Sequence, residues 1–102
     1  MIHVVVYISV KSGMLEQLLA IFQANACVVR TEQGCVEYGA FVDAVDAPSL
    51  QSRLGSDSMM VFERWESMKA FTDHANSPHV LQYRANIKNL VVSNTVNVFV
   101  SA

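Results

Sequence analysis

The sequence predicts an α+β fold, a ferredoxin-like β-α-β-β-α-β antiparallel sheet with its helices on one face. Four segments rich in β-branched and aromatic residues alternate with a period of two, and the stretches between them repeat at helical spacing. The other guide is an imbalance: 52% of the 102 residues are apolar and only 16% are charged. A chain of this length buries only about two-thirds of its unfolded surface on folding alone, so more apolar surface must be covered than one small core accounts for.

Residues 2–10, IHVVVYISV, set Ile2, Val4, Val6, Ile8 and Val10 on one face and His3, Val5, Tyr7 and Ser9 on the other, the pattern of a strand. After Lys11, Ser12 and Gly13 the period changes, and Leu15, Leu18, Leu19, Phe22, Ala26 and Val29 form an amphipathic helix to about Arg30. Gly34 is its stop signal, and residues 35–44, CVEYGAFVDA, read as the second strand. Asp46–Asp57, DAPSLQSRLGSD, is a loop, long for a link between strands, and such loops often border a site. Residues 58–66, SMMVFERWE, form the third strand, with Met59, Val61, Glu63 and Trp65 on one face and Met60, Phe62 and Arg64 on the other. Ser67 is an N-cap for a helix with Met68, Phe71, Thr72 and Ala75 on one stripe. The helical region breaks near Asn76, and Ser77-Pro78 starts a further helix to about Asn89. Residues 91–101, VVSNTVNVFVS, are the last strand.

The length fits a single domain spanning 1–102. Seven Lys and Arg against nine Asp and Glu leave a net charge of −2, and no basic run is present to neutralise phosphates, so nucleic acid is not an expected partner. No apolar run is long enough to span a membrane, and the first residues lack a basic leader and a cleavage site; the expectation is a cytoplasmic protein. Cys27 and Cys35 match no zinc spacing and read as reduced packing residues. There is no phosphate loop, HExxH motif or Gly-x-Ser-x-Gly elbow, so no metal site, nucleotide site or hydrolytic triad is expected. Helices cover one sheet face only, yet the first and last strands are apolar on both. A homodimer with sheets packed face to face follows.

Eight residues stand out chemically. Trp65 is either a packing aromatic or the wall of an aromatic pocket. Glu63 shares its face, and is either paired with a cation such as Arg64 or Lys69 or tuned as an acid or base. His74 borders the buried stripe of its helix, as a packing group or, facing a cavity, as a general base near neutrality. His79 lies in a first helical turn, where the dipole disfavours positive charge and keeps it neutral. Arg84 interrupts the stripe of Val80 and Ile87, snorkelling to solvent or reaching a pocket to stabilise an anion such as a phenolate. Met59, with Met60 and Met68, reads as core or as adaptable pocket wall.

Glu32-Gln33-Gly34-Cys35 with Tyr38, Val61-Phe62-Glu63-Arg64-Trp65-Glu66-Ser67, and His74 followed by Ser77-Pro78-His79 together resemble the antibiotic biosynthesis monooxygenase family, within it the small bacterial quinol monooxygenases. The resemblance implies a dimeric α/β barrel assembly of ferredoxin-like subunits. It also implies that an electron-rich phenol or hydroquinone is oxidised by O2 without a cofactor, so the partners are a small aromatic substrate, O2 and a second copy. His74 is then the candidate base, with Trp65, Arg84 and Glu63 as further catalytic residues. Tyr7, Tyr38, Met59, Val61, Phe71, His79 and Tyr83 are the candidate substrate-binding residues. The alternatives are an isomerase acting on a small carbonyl compound and a non-catalytic dimeric ligand- or haem-binding stress protein. A large aromatic-walled cavity favours the monooxygenase, a small polar one the isomerase and a filled one the binding protein.

Overall fold

The structure is a computed structural model that describes residues 1–102. Its elements run β1 (Ile2–Val10), α1 (Leu15–Val29), β2 (Cys35–Phe41), β3 (Ser58–Trp65), α2 (Met68–Ala75), α3 (Pro78–Ile87) and β4 (Val91–Phe99). The strands form one sheet in the order β2-β3-β1-β4, with every neighbouring pair antiparallel, the ferredoxin-like arrangement. The alternation in β1 sets its register: Ile2, Val4, Val6, Ile8 and Val10 all point into the core, as do Met59, Val61, Glu63 and Trp65 of β3. Slipping either strand by one residue would exchange its buried and open sides. Leu18, Phe22, Ala26 and Val29 of α1 and Val80, Tyr83 and Ile87 of α3 close over that face. Each fully buried large apolar side chain contributes about 1.5–3 kcal/mol.

Local chemistry explains the boundaries. Ser67 is extended and its hydroxyl accepts from the Ala70 N–H at 3.1 Å, capping α2. Asn76 ends α2, and the Ser77 hydroxyl donates to the His74 carbonyl at 2.8 Å, tying the end of α2 to the start of α3, where Pro78 occupies the first turn. Gly34 has φ of +86°, and a Cβ there would lie 2.5 Å from the Ala70 Cβ. Only glycine meets both conditions, which lets α2 sit against the turn into β2.

Several expectations are corrected. Strand β2 ends at Phe41 rather than residue 44, because the Asp43 carboxylate turns away to accept from the Leu54 and Gly55 N–H groups at 3.0 and 2.9 Å. Those two donors hold Asp43 below the usual carboxylate range. Strand β4 stops at Phe99, opposite His3, where β1 runs out, and α3 stops at Ile87. Met68 is 51% exposed, and the buried residue of α2 is His74. The buried stripe of α3 passes through Tyr83, with Arg84 exposed beside it. Cys27 is exposed on α1, not packed in the core, and both cysteines are free.

The helices stop short of β4. Asn94, Val96 and Val98 pair with Ile8, Val6 and Val4 on the helix side of the sheet, yet all three are exposed. The space beside them opens into a cavity between sheet and helices. No helix is long and apolar enough to cross a membrane.

Candidate active site

The cavity has a volume of about 90 Å³. Val4, Val6 and Ile8 of β1 and Val61 of β3 form its floor, and Phe71, Val80, Tyr83 and Ile87 its roof. Polar residues in the lining are few: Glu63, His74, Arg84 and Asn94.

Two of these groups carry acid–base chemistry. Glu63 and His74 are 5% and 6% exposed, the only polar or charged residues buried in the protein. His74 arrives from α2, whose N-cap and Ser77 tie fix the helix at both ends. Its ring packs against Trp65, with centroids 4.5 Å apart, and meets the Tyr38 ring edge-on at 5.5 Å. Its Nδ1 lies 2.7 Å from Glu32 Oε2. An ionised carboxylate offers only acceptors, so Nδ1 carries the proton and Nε2 keeps a free lone pair. That Nε2 lies 3.7 Å from Glu63 Oε1. The gap is too long for a hydrogen bond and short enough for one hydroxyl to touch both.

Burial sets the charge states. It pulls the His74 pKa below its ordinary 6.5, against the opposing pull of the Glu32 carboxylate. It pushes Glu63 up to about 7, although the Trp65 Nε1–H donates to Glu63 Oε1 at 2.9 Å and favours the ionised form. Near neutrality the site therefore holds a neutral imidazole beside a carboxyl group balanced between its two forms. Burial also drives the Tyr38 hydroxyl far above its usual range and pushes Tyr83 up to about 12, so both remain proton donors.

The predicted residues divide into three groups. Glu63, His74, Arg84, Tyr38, Val61, Phe71 and Tyr83 meet at the cavity. Trp65 and His79 stand one layer back: Trp65 is fully buried behind Glu63 and His74, and His79 Nε2 holds Glu32 Oε1 at 2.7 Å. Tyr7 and Met59 lie elsewhere. Tyr7 is 45% exposed on the open face of the sheet, because its parity in β1 is opposite to that of Val6 and Ile8, and Met59 is filled into the core. Glu63 pairs with neither suggested cation, since Arg64 binds Glu37 at 3.0 Å and Lys69 binds Asp73 at 2.7 Å. The long loop also misses the cavity; Arg53, Gly55 and Ser56 border a separate hollow beside Leu15 and Leu19.

Sequence reasoning missed Glu32 as a site residue. It lies in the turn after α1, 42 positions from His74, and bridges two histidines with one oxygen each. The available signal was an acidic residue just before Gly34, the glycine that brings this turn against α2.

Comparison with known proteins bears on the family and the fold. The model of the antibiotic biosynthesis monooxygenase family matches residues 1–86. The chain is 31% identical over 70 residues to the Escherichia coli protein named "Probable quinol monooxygenase YgiN", an alignment taking in 69% of this chain and 66% of that relative, just under two thirds. Among solved structures, Rv0793 from Mycobacterium tuberculosis superposes with a TM-score of 0.80 at 25% identity, covering 99% of this chain and 94% of the other. PA3566 from Pseudomonas aeruginosa gives 0.81 at 21% identity, covering 99% and 93%, and supports the fold. Sequence motifs, sheet order and family match converge, and the chain belongs to the antibiotic biosynthesis monooxygenase family.

Proposed function

We propose that the protein is a cofactor-independent monooxygenase that oxidises a hydroquinone or polycyclic phenol with O2 in the cavity between sheet and helices. The observation that carries this reading is the buried His74, neutral, oriented by Glu32 and facing Glu63 across 3.7 Å in an apolar cavity. At about 90 Å³ the cavity is small, which on size alone sides with a small ligand, but its lining, eleven apolar residues among fifteen, is not the polar one that an isomerase for a small carbonyl compound needs.

His74 Nε2 takes the phenolic proton, and the resulting imidazolium is held by the Glu32 carboxylate. Arg84, at the cavity edge, stabilises the phenolate. The apolar walls exclude water and leave the anion electron-rich. It passes one electron to O2, and the radical pair joins at a ring carbon conjugated to the phenolate oxygen. The peroxide takes the His74 proton. The O–O bond then breaks as the C–H proton of that carbon returns to His74 and hydroxide leaves with the Glu63 proton as water. One oxygen atom ends in a new carbonyl and the other in water, and the substrate supplies all four electrons. A proton passing from His74 to Glu63 resets the site.

The working unit is a homodimer in this reading. Tyr7, Phe41 and Phe99 are 45%, 46% and 52% exposed on the open sheet face, with Val5, Met60 and Phe62 half-buried between them. A second copy covers such a patch face to face. Light scattering should give twice the 11.3 kDa chain mass, and Val5→Arg, at the middle of the face, should halve it. A monomeric wild type would refute the dimer.

Oxygen uptake by metal-free protein tests the function. Reduced naphthoquinones or anthrones should be consumed well above their autoxidation rates, and uptake indistinguishable from autoxidation across the panel would refute the reading.

A further inference from the structure

Glu32 is the one side chain of the site that touches two histidines, and they come from different helices. His74 lies in the last turn of α2 and His79 in the first turn of α3, and each brings a ring nitrogen to 2.7 Å from a different oxygen of the same carboxylate. The joint between the helices sets this up. The Ser77 hydroxyl donates to the His74 carbonyl at 2.8 Å, Pro78 opens α3, and the His79 ring turns back so that its Nε2 lies 3.3 Å from the same hydroxyl. His79 is absent from the cavity lining and its side chain is 29% exposed, so it belongs neither to the substrate space nor to the packed core. Its contacts with Glu32 and Ser77 are what account for its place.

Glu32 needs such a partner. It starts from the turn after α1, outside any helix or strand, and its side chain is 16% exposed. A glutamate held by one oxygen alone can rotate about that contact or turn out to water, because its torsions are otherwise free. A second contact on the other oxygen fixes the plane and the reach of the carboxylate, and with them the proton on His74 Nδ1. We infer that His79 is a positioning residue of this site: by holding Glu32 Oε1 it keeps Glu32 Oε2 on His74 Nδ1, and so keeps the lone pair of His74 Nε2 facing Glu63. The role asks for an N–H donor at that point and for no transfer of a proton. For its effect on turnover the inference rests on the reading of His74 as the base, while its first test uses the protein without substrate.

The test is NMR of 15N-histidine-labelled protein at pH 8, where His74 is neutral and the ring-nitrogen shifts report which nitrogen carries the proton. Wild-type protein should show His74 protonated at Nδ1. His79→Ala and His79→Leu remove the donor with and without loss of volume, and both should shift His74 to a mixture of tautomers. His79→Gln, whose amide N–H reaches toward the same oxygen, should restore the Nδ1–H form. With a phenolic substrate, alanine and leucine should lower kcat roughly tenfold, a part of the whole contribution of the base, with KM nearly unchanged. Glutamine should recover most of that loss. A His74 protonated at Nε2 in the wild type would overturn the inference, as would Nδ1–H unchanged in folded His79→Ala and His79→Leu. Glutamine as slow as alanine would overturn it too, by giving His79 a proton to carry instead of a carboxylate to hold. The spectra need no turnover, so a tautomer that follows the donor at position 79 in a protein that consumes no O2 would uphold the inference and sink the monooxygenase reading alone.

Discussion

His74→Ala is expected to lower kcat for a phenolic substrate by about 10² or more, the usual contribution of a positioned general base. The imidazole carries the one basic nitrogen lone pair in the cavity at pH 7, its tautomer set by Glu32 at 2.7 Å. Glu32→Gln keeps the volume and one acceptor but removes the charge that stabilises the imidazolium. Its loss should be smaller, roughly tenfold, with the acid limb of the kcat/KM profile moved to lower pH because Glu32 raises the His74 pKa. Oxygen-electrode kinetics across pH 5–9, with circular-dichroism melts to confirm folding, check both. An unchanged kcat in folded His74→Ala would remove it as the base.

Glu63→Gln is expected to make the protein more stable and less active. Glu63 ionises near 7 in the folded protein against an ordinary 4.5. Between those values the unfolded chain holds fewer protons than the native one, so stability falls as pH rises from about 4.5 to 7. At 1.36 kcal/mol per pKa unit the full effect is on the order of 3 kcal/mol. Glutamine removes the buried charge and still offers an oxygen to the Trp65 Nε1–H. The variant should gain about 2 kcal/mol at pH 8, a rise in Tm on the order of 10 °C, and almost nothing at pH 4.5. Its kcat should fall and the alkaline limb near pH 7 should vanish, because the amide delivers no proton to the leaving hydroxide. Urea unfolding at the two pH values checks the first part, and equal stability changes at both would contradict it.

The sheet was legible because its pattern is strong: β1 alternates without exception, and a shared period of two placed Glu63 beside Trp65 on the buried face. The break at Asn76 was legible from Ser77-Pro78, since capping and proline geometry act within a few residues. The carboxylate–histidine pairing was not. Glu32 meets His74 only after Gly34 has let the turn approach α2, and no local periodicity records a contact 42 residues apart. Tyr7 fails as a pocket residue for the opposite reason, because local strand parity by itself sends it to the open face. On α3 both Tyr83 at i+3 and Arg84 at i+4 are consistent with a stripe through Val80, and the helix turns Tyr83 inward and leaves Arg84 at the cavity edge.

The most direct test of the central claim is oxygen uptake at pH 7 by metal-free wild-type protein and folded His74→Ala, with a reduced naphthoquinone and analysis of the product. The account predicts uptake well above autoxidation in the wild type, one atom of labelled oxygen in the quinone and the other in water, and loss of about 10² in the variant. Uptake at the autoxidation rate in both proteins would contradict it.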